Sequence, residues 1–165
     1  MTEGIPVVRM YTDESGHTRF AKMQIPVESK TGLGSVGMFS SLFVNKNIYD
    51  NTGDLKTQFA LTPVPDNLEG EGPKLAHTAP RRQLVLTLSG CLEFKSCDVD
   101  EEDVEHKVTI RRGDILLAED LEGAGHVWKF VESSDGNFYP WIRCYIHLGE
   151  EYDHFVSQLV PKSYL

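Results

Sequence analysis

Cysteine is scarce in this 165-residue sequence: Cys91, Cys97 and Cys144, an odd count with no CxxC spacing. That excludes a disulfide framework and points to reduced thiols. Positive charge is scarce too, with 16 Lys and Arg against 25 Asp and Glu and a formal net charge of -9. Basic residues are adjacent only in the pairs Arg81–Arg82 and Arg111–Arg112. With no basic stripe, nucleic acid is not an expected partner. No apolar run approaches the ~20 residues of a membrane-spanning helix. Residues 1–6 lack the basic and apolar regions of a signal peptide, and the last residues carry no lipidation box. The expectation is a cytoplasmic protein with no membrane partner. Catalytic signatures are missing as well: no HExxH, no GxSxG and no EF-hand loop. The acidic run from Asp98 to Glu105 puts Asp103 where an EF-hand needs glycine, and reads as a solvated hairpin loop.

What is present is a set of short β-like segments. A chain of this length buries roughly 70% of its unfolded surface and needs no staple to fold. The expectation is one domain over residues 1–165. Strand candidates are residues 6–11, 19–25, 38–45, 57–61, 83–89, 92–97, 107–111, 114–118, 126–131 and 141–148. A turn separates the first two at Asp13-Glu14-Ser15-Gly16, residues 63–72 read as a loop, and Gly90, Gly113 and Gly136 mark later junctions. Many short strands at this spacing mean an all-β sandwich or barrel. Tyr152, Phe155, Val156 and Leu159 recur at helical spacing, so residues 150–160 read as a short amphipathic helix on the barrel.

One motif match is set aside on context. Gly32-Leu33-Gly34-Ser35-Val36-Gly37 fits GxGxxG. A poor strand precedes it and a strand-like run follows where a dinucleotide site needs a helix. The expectation is a flexible loop and no nucleotide cofactor. The pairs His147–Glu151 and Glu150–His154 have metal-ligand spacing on a helix. Gly149 interrupts the first, and the second reads as a solvated ion pair.

Alternation supplies the candidate site. In an extended chain His77, Ala79, Arg81, Gln83, Val85 and Thr87 share one face, while Leu84, Leu86 and Leu88 share the other. The leucine face should be buried against a second sheet or the helix, together with Ile142 and Ile146. His126, Trp128 and Phe130 share a face, and so do Trp141, Arg143, Tyr145 and His147. Three strands presenting polar and aromatic groups on one face suit a ligand cavity. An inward Arg81 needs a partner, either an internal acid such as Asp114 or Asp120 or a carboxylate or phosphate on a ligand.

Residues 70–148 resemble the cupins. The run His77-x-Ala79-Pro80-Arg81-Arg82-Gln83, followed by Gly90, is similar to the first cupin motif. There Ala79 stands in place of a histidine and Gln83 in place of a glutamate. The run from Gly113-Asp114 to His126 is similar to the second, with Gly123 or Gly125 as its inner glycine. Its proline is missing, and Lys129 or Phe130 falls near its asparagine. The resemblance implies a cupin-type jelly-roll β-barrel of two antiparallel sheets with a short C-terminal helix. It also implies a small-molecule enzyme of isomerase, lyase or oxygenase type acting on a small polar or anionic substrate. His77, Gln83 and His126 would hold a divalent metal (Fe, Mn, Ni or Zn), helped by Asp120 or His147. His126 and Tyr145 would be catalytic, and Arg81, Arg143 and Trp128 would bind substrate. The alternative is a metal-free cupin module that binds a ligand without breaking a bond. A homodimer pairing through the N-terminal strands is the expected assembly.

Overall fold

The computed structural model describes residues 4–30, 34–37, 57–66, 75–97, 106–149 and 152–161. In chain order the elements are β1 (Gly4–Thr12), β2 (Thr18–Lys30), β3 (Gly34–Gly37), β4 (Thr57–Thr62), β5 (Gln83–Ser89), β6 (Cys91–Ser96), β7 (Lys107–Arg111), β8 (Ile115–Glu119), β9 (His126–Phe130), β10 (Trp141–His147), α1 (Tyr152–Gln158) and β11 (Val160–Pro161). The large sheet runs β11-β2-β1-β8-β5-β10-β4, with β3 also on β2, and the small sheet runs β7-β6-β9.

The fold is mostly β, in two sheets with one short helix. It departs from two antiparallel sheets at one place, where β1 and β8 pair in parallel from Val7↔Ile115 to Tyr11↔Glu119. A parallel pair needs a long crossover, and most of the chain lies between these strands. Among the described residues no hydrogen-bonded ladder joins the two sheets into a closed barrel.

Alternation on the large sheet builds two cores. Inward residues Met10, Val85, Leu116, Ala118 and Trp141 meet Leu92, Phe94, Ile110 and Phe130 of the small sheet. Outward residues Val7, Ile25, Leu84 and Leu117 form a second cluster with Leu148, Phe155 and Leu159. A seven-residue helix is marginal alone, so α1 exists by docking Phe155, 1% exposed, onto this outer face.

Several expectations are corrected here. Leu84 is buried, and Leu86 and Ile146 are half-buried beside the α1 cluster, but Leu88 is 46% exposed. Strict alternation puts Leu88 on the right face, yet it lies outside that cluster. Gly34–Gly37 is a strand paired antiparallel to β2 rather than a loop. β2 runs on past Pro26, which is opposite Gly4 at the end of the β1 ladder, because β3 takes over the pairing from Val27. β1 is flanked by β2 and β8, while the outer edge of β2 is paired among the described residues only at Met23–Gln24 with β11 and at Val27–Lys30 with β3. Residues 38–45, the acidic run 98–105, Glu150 and Glu151 lie outside the described residues. The strands flanking the acidic run, β6 and β7, pair antiparallel from Cys91↔Arg111 to Lys95↔Lys107, as a hairpin requires.

Candidate functional site

The histidine of each motif meets the other through the backbone. His77 N donates to His126 O at 3.1 Å and His126 N donates to His77 O at 2.9 Å. This isolated antiparallel bridge sets the two imidazole centroids 4.5 Å apart. Gly125 makes the approach possible. Its φ is +76°, and a Cβ there would stand 2.4 Å from the His77 carbonyl oxygen.

Asp120 orients His126. Its Oδ2 lies 2.6 Å from His126 Nδ1, with the two side chains 0% and 5% exposed. The same carboxylate accepts from Thr18 Oγ1 at 3.2 Å and, through Oδ1, from Ala79 N at 3.3 Å. A carboxylate at Nδ1 holds that proton in place and leaves Nε2 to accept. His77 Nδ1 faces the Leu75 carbonyl at 3.3 Å, and a carbonyl only accepts, so its Nε2 is likewise the free nitrogen. Neither Nε2 has a hydrogen-bond partner among the described residues.

Across the sheet, β10 pairs with β5 (Tyr145↔Val85, His147↔Gln83) and brings its polar face alongside. Arg143 Nε donates to Tyr145 Oη at 2.6 Å, and Nη1 donates to Thr62 Oγ1 at 2.8 Å. The guanidinium carbon stands 3.8 Å from the Trp141 ring centroid. Trp141 packs on Trp128 at 5.1 Å and on Phe94 at 5.8 Å, and Phe94 packs on His126 at 5.6 Å.

These groups surround a cavity of about 480 Å3, within the range of small-ligand sites. Its wall includes the metal-, catalytic- and substrate-site candidates His77, Arg81, Gln83, His126, Trp128, Arg143 and Tyr145, and His147, but not Asp120. Gln83 is 6% exposed, and no described residue hydrogen-bonds its amide. Arg81 is engaged in contacts of its own. The acids expected for it are otherwise committed, Asp114 Oδ2 to the Arg111 N–H and Asp120 to His126.

Sequence reasoning passed over Met10, Gln58, Phe94 and Leu116, which complete the wall from other strands. It also weighed Asp120 as a metal ligand or arginine partner and not as the group that orients His126. The signal was available: Leu116, Ala118 and Asp120 alternate onto one face. Three buried groups outside the cavity are also perturbed. Burial pushes the Cys91 and Cys144 thiols up, which suits packing residues rather than nucleophiles. Burial also raises the Glu119 carboxyl, against the lowering effect of Arg9.

The residues present do not suit the implied metal. Among the described residues no three His, Cys, Asp or Glu side chains converge to hold an ion. His77 and His126 supply two neutral nitrogens and Gln83 a neutral oxygen, with no charge compensation for a dication. Asp120 faces the far nitrogen of His126, the place of a supporting group and not of a ligand. Compared with family models, curated proteins and solved structures, the chain matches none.

Proposed function

We propose that this protein is a metal-independent acid–base enzyme of the isomerase or lyase class. Its small polar or anionic substrate sits between the two sheets of a cupin-type jelly roll. The observation that carries the reading is the buried Asp120–His126 pair, 2.6 Å apart, whose Nε2 has no hydrogen-bond partner among the described residues and lies beside the cavity. That arrangement suits a general base: Nε2 takes a proton from carbon, and the carboxylate at Nδ1 compensates the imidazolium that forms. Tyr145 suits the acid. Its oxygen accepts from Arg143, so its own proton is free to be given, and charge developing on that oxygen meets a guanidinium N–H. His77 and Gln83 would orient the substrate by hydrogen bonds.

The test is deuterium wash-in. Small keto, hydroxy and sugar acids are incubated with the protein in D2O, and label at carbon is read by mass spectrometry. At least one compound should exchange, and His126→Asn should slow that exchange about 100-fold or more. Exchange at the wild-type rate in His126→Asn would overturn the proposal. A second reading, ligand binding without chemistry, is favoured by the neutral amide of Gln83 in a wall that lacks a free carboxylate. Tight binding of a compound with no exchange in any would select it.

A further inference from the structure

We propose that the cavity selects a singly charged carboxylate attached to a flat apolar body, and that Arg143 is the anchor. This rests on the reading of the cavity as a ligand site and names the ligand class.

Arg143 is unusual in its company. Arg9 is paired with Glu119, and Arg19 with Asp13. Among the described residues every contact of Arg143 is neutral: the Tyr145 and Thr62 hydroxyls, the Trp141 carbonyl at 3.4 Å, and the faces of Trp141 and Tyr145. The chain carries 25 acidic residues, yet no described carboxylate reaches this half-buried cation. Ring faces and hydroxyls offset only part of the cost of burying a guanidinium, and a counter-ion supplied from outside would complete it.

The geometry also says how that counter-ion would be held. A guanidinium carries its hydrogen-bond donors at its edge, and that of Arg143 lies over the Trp141 ring. Nε and Nη1 are used, while Nη2 donates to no described residue. An arginine fixed by three neutral partners is a preorganised fork for a carboxylate. The Gln83 amide, buried and without a hydrogen-bond partner among the described residues, lines the same space and offers a further donor.

The rest of the wall limits the ligand. Trp128, Trp141, Phe94, Met10, Val85 and Leu116 are flat or apolar and suit a planar hydrocarbon body. Arg143 is the cavity arginine whose described partners are all neutral and whose Nη2 is unused among the described residues. A second negative charge would be buried against these rings at a cost.

Both tryptophans of the chain, Trp128 and Trp141, line the cavity, so intrinsic fluorescence reports on it directly. Titration with benzoate, benzamide and phthalate compares a monoanion, its neutral analogue and a dianion. Benzoate should change the emission with a half-saturation about tenfold or more below that of either comparator, as a charged hydrogen bond implies. Arg143→Gln should abolish the preference over benzamide. If circular dichroism shows that variant unfolded, Arg143→Lys serves instead. It keeps the charge, loses the stacked fork, and should weaken benzoate binding. Equal response to benzoate and benzamide overturns the proposal. So does a response to neither at tens of millimolar, or wild-type benzoate binding in the folded variant. Tighter phthalate binding refutes the single-charge part. Retained benzoate preference in a protein that shows no deuterium wash-in would sink the acid–base reading and leave this one standing.

Discussion

Leu84 and Val85 are neighbours on β5, yet their side chains enter two differently built interiors. Leu84 faces a cluster of aliphatic residues and one phenylalanine under α1. Val85 faces a space that also holds three histidines, two arginines, two glutamines and a tyrosine. The same sheet supplies both sides, through β1, β8, β5 and β10. On the helix side each side chain contributes by excluding water. On the cavity side the strands hold polar groups at fixed separations, and those groups carry the chemistry. Substitutions on the two sides should therefore fail differently.

The largest loss should come from the helix side. Phe155→Ala should lower the unfolding free energy by about 3–5 kcal/mol in a urea titration. The fluorescence of Trp128 and Trp141 should be unchanged in the fraction that stays folded. A loss below about 0.5 kcal/mol, the level of a surface change, would mean that α1 does not seal this face.

On the cavity side, Gly125→Ala should cost more than about 1 kcal/mol, because alanine is strained at φ +76° and its Cβ meets the His77 carbonyl. It should also change the tryptophan emission, since the bridge between His77 and His126 must open. Full stability with unchanged emission would show that the bridge does not constrain the site.

A smaller, pH-dependent effect follows from the β1–β2 turn, which abuts the segment before His126 through Ala124 N to Gly16 O at 3.3 Å. The Asp13 carboxylate accepts from His17 N, from Arg19 Nε and from Ser15 N, and is held at about 2, well below its ordinary 3.8. A carboxyl lowered in the folded state contributes stability above its unfolded value, and that contribution is lost as pH falls. The stability gap between wild type and Asp13→Asn should thus be constant above about pH 5, well above the ordinary 3.8, and shrink toward pH 2. A gap that does not change over this window would show that the turn does not depend on the charge.

The smallest effect is expected at Leu88→Ala, within about 0.5 kcal/mol, because Leu88 is 46% exposed. A cost above about 2 kcal/mol would mean that the outer face beyond α1 is covered.

Leu88 also marks how far the sequence could be read. Alternation assigns each β5 residue to a face correctly, since the period of a strand is set by local geometry. It cannot say whether anything covers that face, and α1 covers Leu84 and leaves Leu88 open. The motif spacing likewise pointed to His77, Gln83 and His126, and the alternation on β10 to Arg143 and Tyr145. By itself, then, the sequence determined most of the described strands, their faces and the docking helix at the end, but not β3 or β11, and His77 and Arg81 precede β5 instead of extending it. Only the tertiary structure decided what those faces meet: Asp120 against His126, Arg143 over Trp141 with no described acid beside it, β1 parallel to β8. The reason is physical. Backbone periodicity is a property of adjacent residues, whereas a charge's partner is chosen by the pairing of strands far apart in the chain.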